Sequence, residues 1–258
     1  MTPGLGPALT PVTWLSGPGL WLKRDDTFSV AGITGGKVRT CLALAAAGLP
    51  DVALVTAGGR HSPQVSIVAR VGQLLGREVR CHVPAGQPGP ELDDAVAHGA
   101  SLVPHRPGYN SVLVARARAD ALESGSTLVP FGMECAEAVE QTAGQVANVP
   151  ADVQRVVVPV GSGMSLAGVL AGRVAQDMHW PVLGVVVGAS PEVRLDRWAP
   201  GWRWDGGSVQ LKWAASGYGS PARVTDLGGV SLDPYYEAKC LPYLRPGDLL
   251  WIVGRRAV

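Results

Sequence analysis

The sequence predicts an α/β protein with parallel-rich sheets flanked by helices, and three observations carry that prediction. From Asp51 onward, β-branched runs alternate with helical patterns of about 10–15 residues, the rhythm of βαβ units. Runs such as Arg155–Val160 are almost continuously apolar, as strands buried on both faces require. Glycines sit where strand patterns hand over to helix patterns, at Gly58-Gly59 and at Gly161-Ser162-Gly163.

The elements follow in order. LWLKRDD reads as a strand and VRTCLALAAAG as a helix. DVALVTAGG is a strand ending in glycines, and Ser62–Gly76 is a helix with apolar residues at Val65, Val68, Ala69, Gly72 and Leu75. REVRCHVPA, SLVPH and STLVPFG are strands; ELDDAVAHGA, SVLVARARADALESG and CAEAVEQTAGQVAN are the helices around them. RVVVPVG, MSLAGVLAGRVAQ and PVLGVVVGA continue the alternation, and DLLWIVG closes the chain as a strand. Residues Pro191–Ala222 break the rhythm: Trp198, Trp202, Trp204 and Trp213 lie among Gly, Arg and Asp with weak periodicity. Two lobes are expected, a larger one from residues 1–47 and 131–258 and a smaller α/β lobe from residues 48–130.

The 258 residues and 47% apolar content suffice to fill a core, and a net charge of +1 gives no basic stripe for nucleic acid or anionic membranes. Cys41, Cys81, Cys135 and Cys240 form no CxxC pair and have no histidine at metal spacing, which predicts reduced thiols in the cytoplasm and no metal site. No apolar run approaches the ~18 residues of a membrane span, and the first residues lack a signal-peptide pattern.

Three segments carry chemistry. In GITGGKVRT, a glycine turn places Lys37 at the start of a helix. A P-loop is excluded, since Ala31 holds its first glycine position and Val38 follows the lysine. A lysine kept from water has a lowered pKa, and its neutral amine condenses with aldehydes. A surface lysine in an arginine-rich chain is the plain alternative; the other lysines are Lys23, Lys212 and Lys239. In VVVPVGSGMSLAG, a buried strand runs through Gly161-Ser162-Gly163 into a helix, an arrangement that offers backbone N–H groups and a helix dipole to an anion. Leu166 breaks the dinucleotide fingerprint, and Val160 breaks the nucleophile elbow. In TAGGRHSPQ, Ser62 is either an N-cap or a carboxylate donor at a helix start, and His61 is a lone histidine.

Taken together, these segments resemble the fold-type-II pyridoxal phosphate enzymes, and within them the 1-aminocyclopropane-1-carboxylate deaminase and D-cysteine desulfhydrase branch. LWLKRDD and TGGKVRT resemble that branch's K-R-D-D and G-G-N-K-x-R segments. AGGRHSPQ resembles G-G-x-Q-S-N-H, VGSGMSLAG the phosphate loop, SGYGSP a segment with an active-site tyrosine, and GGVSLDPYYEAKC the segment E-G-I-x-L-D-P-V-Y-T-G-K-A. The resemblance implies the two-lobed fold of that family and pyridoxal 5′-phosphate held as a Schiff base on Lys37. It also implies a phosphate site at Gly161, Ser162, Gly163, Met164 and Ser165, Ser62 and Gln64 near the substrate, Tyr218 in catalysis, and a homodimer. The activity implied is β-elimination or β-replacement on an amino acid, a lyase-like reaction of amino-acid metabolism.

Several positions depart from the pattern. Pro63 and Gln64 stand where asparagine and histidine are expected, Leu227 and Gly228 replace a tyrosine and a glutamate, and Val253 and Arg255 replace a threonine and a glycine. Apolar residues at Gly228 and Val253 predict a weak electron sink at the pyridine nitrogen. They equally suit a degenerate protein that binds pyridoxal phosphate or another phosphate ligand without chemistry. The tryptophans leave a third reading, a substrate made of an amino acid attached to a nucleotide.

Overall fold

The computed structural model describes residues 8–254 except residue 88. The chain runs through β1 (Val12–Leu15), β2 (Leu20–Arg24), β3 (Ser29–Val30), β4 (Ile33–Thr34) and α1 (Gly36–Ala47). It continues with β5 (Leu54–Ala57), α2 (Pro63–Leu74), β6 (Val79–Pro84), α3 (Pro90–Ala97), β7 (Ala100–His105), α4 (Asn110–Ser124) and β8 (Thr127–Val129). Then come α5 (Ala136–Gly144), β9 (Arg155–Val160), α6 (Met164–Ala175), β10 (Val182–Val186), α7 (Glu192–Trp198) and β11 (Val209–Trp213). The hairpin β12 (Asp226–Leu227) and β13 (Val230–Ser231), a 3-10 helix over Glu237–Tyr243, and β14 (Asp248–Ile252) complete it. Two compact units result, one from residues up to Phe28 with Ala138–Gly254, the other from Ser29–Glu137.

The Ser29–Glu137 unit holds a four-stranded parallel sheet in the order β7-β6-β5-β8. The chain steps outward from β5 through β6 to β7, then returns to the other side of β5 with β8. That reversal makes a switch point at β5, and the loop after β5 leads into α2. Ser62 caps α2, with Pro63 in the first turn, where its missing N–H costs nothing. Helix α1 packs on α2. Under the sheet, Val55, Ala57, Leu113, Ala117 and Ala121 form one cluster. A polar brace ties β6 to β7 and α4: His82 bonds His105 at 2.8 Å and Asp120 at 2.9 Å, and Arg80 grips Asp120 through two nitrogens. The Arg80 guanidinium, with His82, holds the Asp120 carboxyl well below the usual carboxylate range.

The other unit carries a six-stranded sheet ordered β1-β2-β14-β9-β10-β11, parallel except for β1, which pairs antiparallel with β2. Val156, Val158 and Val160 face one side with Leu249 and Trp251; Val157 faces the other with Leu250 and Ile252. This is the two-sided burial that the unbroken Val run predicts, each side chain contributing about 1.5–3 kcal/mol. Gly168 and Gly172 let α6 lie tight against α5, since a Cβ at Gly172 would stand 2.5 Å from the Ala143 carbonyl oxygen. The KRDD segment is structural here. Lys23 Nζ donates to the Thr10 carbonyl at 2.9 Å and to Asn148 Oδ1 at 2.6 Å, and Arg24 pairs with the fully buried Asp26 side chain at 2.8 Å.

Two strands here escape periodicity. β1 is short and half-exposed, and β11 lies at the sheet edge in the Trp-rich stretch. An edge strand buries too little of either face to impose a pattern. Among the described residues no helix is long and apolar enough to cross a membrane. The four cysteines are unbridged, and burial pushes the Cys41 and Cys81 thiols up to about 12.

Candidate active site

In the Ser29–Glu137 unit, Gly35 (φ +105) turns the chain into α1, and Lys37 occupies the first turn of that helix, half-buried. The turn needs a residue without Cβ, because L side chains rarely adopt that φ. Ser62 Oγ accepts the Gln64 N–H at 3.4 Å, the N-cap geometry. A hydroxyl that accepts there still has its own O–H to donate, at the positive end of α2. Gln64 is buried instead: its Nε2 donates to Thr56 Oγ1 and to the Pro130 carbonyl, both at 2.8 Å, tying α2 to the strand ends, while its Oε1 is enclosed without a hydrogen-bond partner.

In the other unit, the chain steps from β9 through β10 to β11 on one side, while β14 lies on the other side of β9. Ligands of open parallel sheets bind at such switch points, beyond the carboxyl ends of the strands. The loop that leaves β9 here is Gly161-Ser162-Gly163. Gly163 has φ +94 with Pro191 packed 3.0 Å from where a Cβ would be, and α6 begins at Met164. The first α6 amides precede its first intrahelical bond, from Ala167 N to the Gly163 carbonyl, so they point outward. Gly161, Ser162 and Ser165 are all half-exposed. Glycines and serines at a helix start, with the Tyr236 ring against Gly161 and Pro191 against Gly163, offer backbone N–H groups that fit a phosphate group. Tyr218 stands beside it, its hydroxyl 3.0 Å from that of Tyr236.

Against the C-terminal end of β14 lies an acid that the sequence pattern does not single out. Glu237 is 1% exposed; its Oε1 accepts the Val253 N–H at 2.9 Å, and its Oε2 is enclosed without a hydrogen-bond partner. Burial, with Asp233 nearby, pushes this carboxyl up to about 8. Gly228 and Gly229, at φ +60 and +83, form the two-residue turn between β12 and β13, a conformation that tolerates a glutamate poorly. The acid of this neighbourhood therefore comes from the 3-10 helix. In the sequence it stands in LDPYYEAKC, a segment without periodicity to mark it. Arg255 lies outside the described residues.

The tryptophans divide. Trp198 and Trp202 pack against the core, with Arg197 and Arg203 over their rings at 5.1 and 4.5 Å, whereas Trp204 and Trp213 are exposed.

The fold is shared with several solved structures. An ACC deaminase homologue superposes with a TM-score of 0.77 at 22% identity, covering 97% of this chain and 90% of that one. The O-acetylserine dependent cystathionine beta-synthase of Helicobacter pylori gives 0.69 at 12% identity, covering 97% and 93%. The threonine deaminase isoform 2 of Solanum lycopersicum, in its processed form, gives 0.65 at 16% identity, covering 95% and 78%. No curated protein matches by sequence. The model of the pyridoxal-phosphate dependent enzyme family matches residues 5–229, and the chain belongs to that family.

Proposed function

We propose that the protein is a lyase-like enzyme that carries out β-elimination or β-replacement on an amino acid, with Lys37 holding pyridoxal phosphate covalently. The observation that carries this reading is the glycine loop at the β9–β14 switch point, where Gly161-Ser162-Gly163 lead into the start of α6. Gly161, Ser162, Gly163, Met164 and Ser165 bind the cofactor phosphate through backbone N–H groups and the α6 dipole. When bound, the cofactor supplies the sink that withdraws electrons from the amino acid's Cα. Lys37, the residue that would hold the cofactor, would also take the proton from Cα at its Nζ. Ser62 Oγ–H and the start of α2 orient the carboxylate, with Gln64 bracing that helix from beneath. Tyr218 lines the pocket and assists proton transfer. The family's neighbours in structure include deaminases and a synthase acting on amino acids, which supports the substrate class. The same reading carries a cytoplasmic location and a homodimer, the first supported by the unbridged cysteines and the second by the sequence resemblance.

The deciding experiment is the visible spectrum of the purified protein with added pyridoxal phosphate. The expected result is a visible band that borohydride bleaches, followed by pyruvate release from D- or L-serine, cysteine or their O-acyl derivatives. No band with cofactor in excess would overturn the assignment of Lys37. A second reading, a binder without chemistry, is favoured by the side-chain-free turn at Gly228 and the apolar Val253. It predicts phosphate binding with no covalent adduct.

The loop makes its own prediction. A Cβ at Gly161 would lie 2.7 Å from Tyr236 Cε1, so ring or loop must move. Gly161→Ala is expected to weaken binding of inorganic phosphate about tenfold, the scale of an overpacking cost of roughly 1–3 kcal/mol. Calorimetric titration with phosphate measures it, and unchanged affinity would place the anion elsewhere.

A further inference from the structure

We propose that His82 and His105 form an acid-sensitive latch on the loop that carries Ser62, a latch that tolerates one added proton and opens on the second. The latch would regulate the carboxylate seat at Ser62, and in that consequence it rests on the reading above.

The two rings come from adjacent strands. His105 stands opposite Pro84 in the β6–β7 register, so it shares a face with His82, one diagonal step away. The ring planes are 12° apart with 5.0 Å between centroids, and His82 Nδ1 lies 2.8 Å from His105 Nε2. The other His82 nitrogen, Nε2, lies 2.9 Å from Asp120 Oδ2. An ionised carboxylate only accepts, so His82 Nε2 carries a hydrogen. With both rings neutral, His82 Nδ1 is then the acceptor for the His105 N–H. A first added proton leaves one donor and one acceptor at the contact, whichever ring holds the charge. A second gives all four ring nitrogens a hydrogen, and two N–H groups then face each other with no acceptor between them.

The surroundings give the pair no relief. From α4, Asp120 faces His82 and Arg116 adds positive charge near His105; from β6, Arg80 holds Asp120 through two nitrogens, with Glu78 acting on Arg80. Among the described residues neither α2 nor α3, which also pack on these strands, gives either ring a charged partner. His105 is half-exposed, so protons reach the pair, while burial, His82 and Arg116 lower its readiness to take one.

The backbone of the same two residues carries the loop. The His82 carbonyl accepts the Gly58 N–H at 3.1 Å, and the turn that follows closes with the Ser62 N–H on the Gly59 carbonyl at 2.9 Å. The His105 carbonyl accepts the Ala85 N–H at 2.7 Å, and the Ala85 carbonyl accepts Arg60 Nη2 at 3.4 Å from within that turn. The Arg60 guanidinium rests on Gly86, where a Cβ would meet Nη2 at 2.7 Å. Rings forced apart therefore disturb both backbone bonds, one at each histidine.

The test is a titration of the full chain without ligand, followed by NMR of the histidine ring carbons and of the backbone amides. The five histidines are assigned with single His→Gln variants. His82 and His105 are expected to take up their two protons in steps more than about one pH unit apart, as strongly interacting sites do. The second step is expected to shift the Gly58 and Ala85 amides with the same midpoint. In His105→Gln, whose side-chain amide can donate to His82 at every pH, both amides are expected to keep their neutral positions through that step. His82→Gln breaks the pair from the other side with the same expected result, and it carries the test should His105→Gln fold poorly. Uptake of both protons at one midpoint overturns the latch. So do amides that ignore the second step, or that respond in the variants as in the wild type. Should acid unfold the whole chain in that step, His105→Gln is expected to lose less of its neutral-pH stability than the wild type, because only the unfolded wild type accepts the second proton. Equal losses overturn the proposal. With no ligand present, these outcomes are independent of what binds at Ser62.

Discussion

Lys37→Ala is expected to abolish the covalent adduct with pyridoxal phosphate and all turnover of amino acids. The expectation follows from position and chemistry together. Gly35, at φ +105, turns the chain so that Lys37 falls in the first turn of α1, half-buried, with its amine carried at the start of the helix. Of the four lysines, Lys23 and Lys239 are buried with carbonyl partners, and Lys212 lies on the edge strand β11. Lys37 is the one at a glycine turn opening a helix. Intact-mass measurement after borohydride is the check. The wild type is expected to gain one reduced phosphopyridoxyl group, mapped to the peptide containing Lys37, and the variant none. Lys37→Arg is expected to behave as the alanine variant does, because guanidinium stays charged and cannot condense with an aldehyde. An adduct of equal yield in Lys37→Ala would move the attachment to another lysine. A wild type without adduct that still binds phosphate would favour the binder without chemistry.

Stability is expected to fall as pH rises from about 5 to about 8, and Glu237→Gln to remove most of that fall. The ordinary carboxyl titrates at 4.5, whereas burial and then Asp233 push Glu237 to about 8. Between those values the folded chain holds a proton that the unfolded chain has released. Stability from this group is therefore complete below the ordinary value and is lost as pH rises through the folded one. The slope approaches 1.36 kcal/mol per pH unit, which accumulates to a few kcal/mol over the window. The other carboxyl and histidine shifts act differently. Asp94, Asp120, Asp196 and Asp205 are lowered, so their contributions disappear only in acid, and His105 is lowered, chiefly by burial, which gives the opposite slope. Comparing wild type with Glu237→Gln by urea unfolding at each pH cancels these common terms. Parallel curves for the two proteins would show that Glu237 is already ionised in the folded state. The same experiment bears on the weak electron sink expected from Gly228 and Val253, since Glu237 places a proton-bearing acid on the Val253 backbone.

The alternation of Val-rich runs with helical patterns was sufficient to determine the α/β class, because each buried parallel strand needs apolar residues on both faces. Local chemistry also reached the glycine turns before α1 and α6, since a positive φ at Gly35 and Gly163 is a demand on single residues. The N-cap at Ser62 was legible for the same reason. Three things were decided only by tertiary structure. The edge strands β1 and β11 exist through pairing with β2 and β10, not through a pattern of their own. Gln64 reads as polar and available, yet its amide is spent inside the unit on Thr56 and Pro130. Tyr236 and Glu237 lie at and just inside a 3-10 helix without periodicity, and their meaning comes from partners distant in the chain, Gly161 and Tyr218 for one and Val253 for the other. A sequence reports what each residue demands of its neighbours along the chain; contacts closed across the sheet arise only when β9 and β14 come to lie side by side.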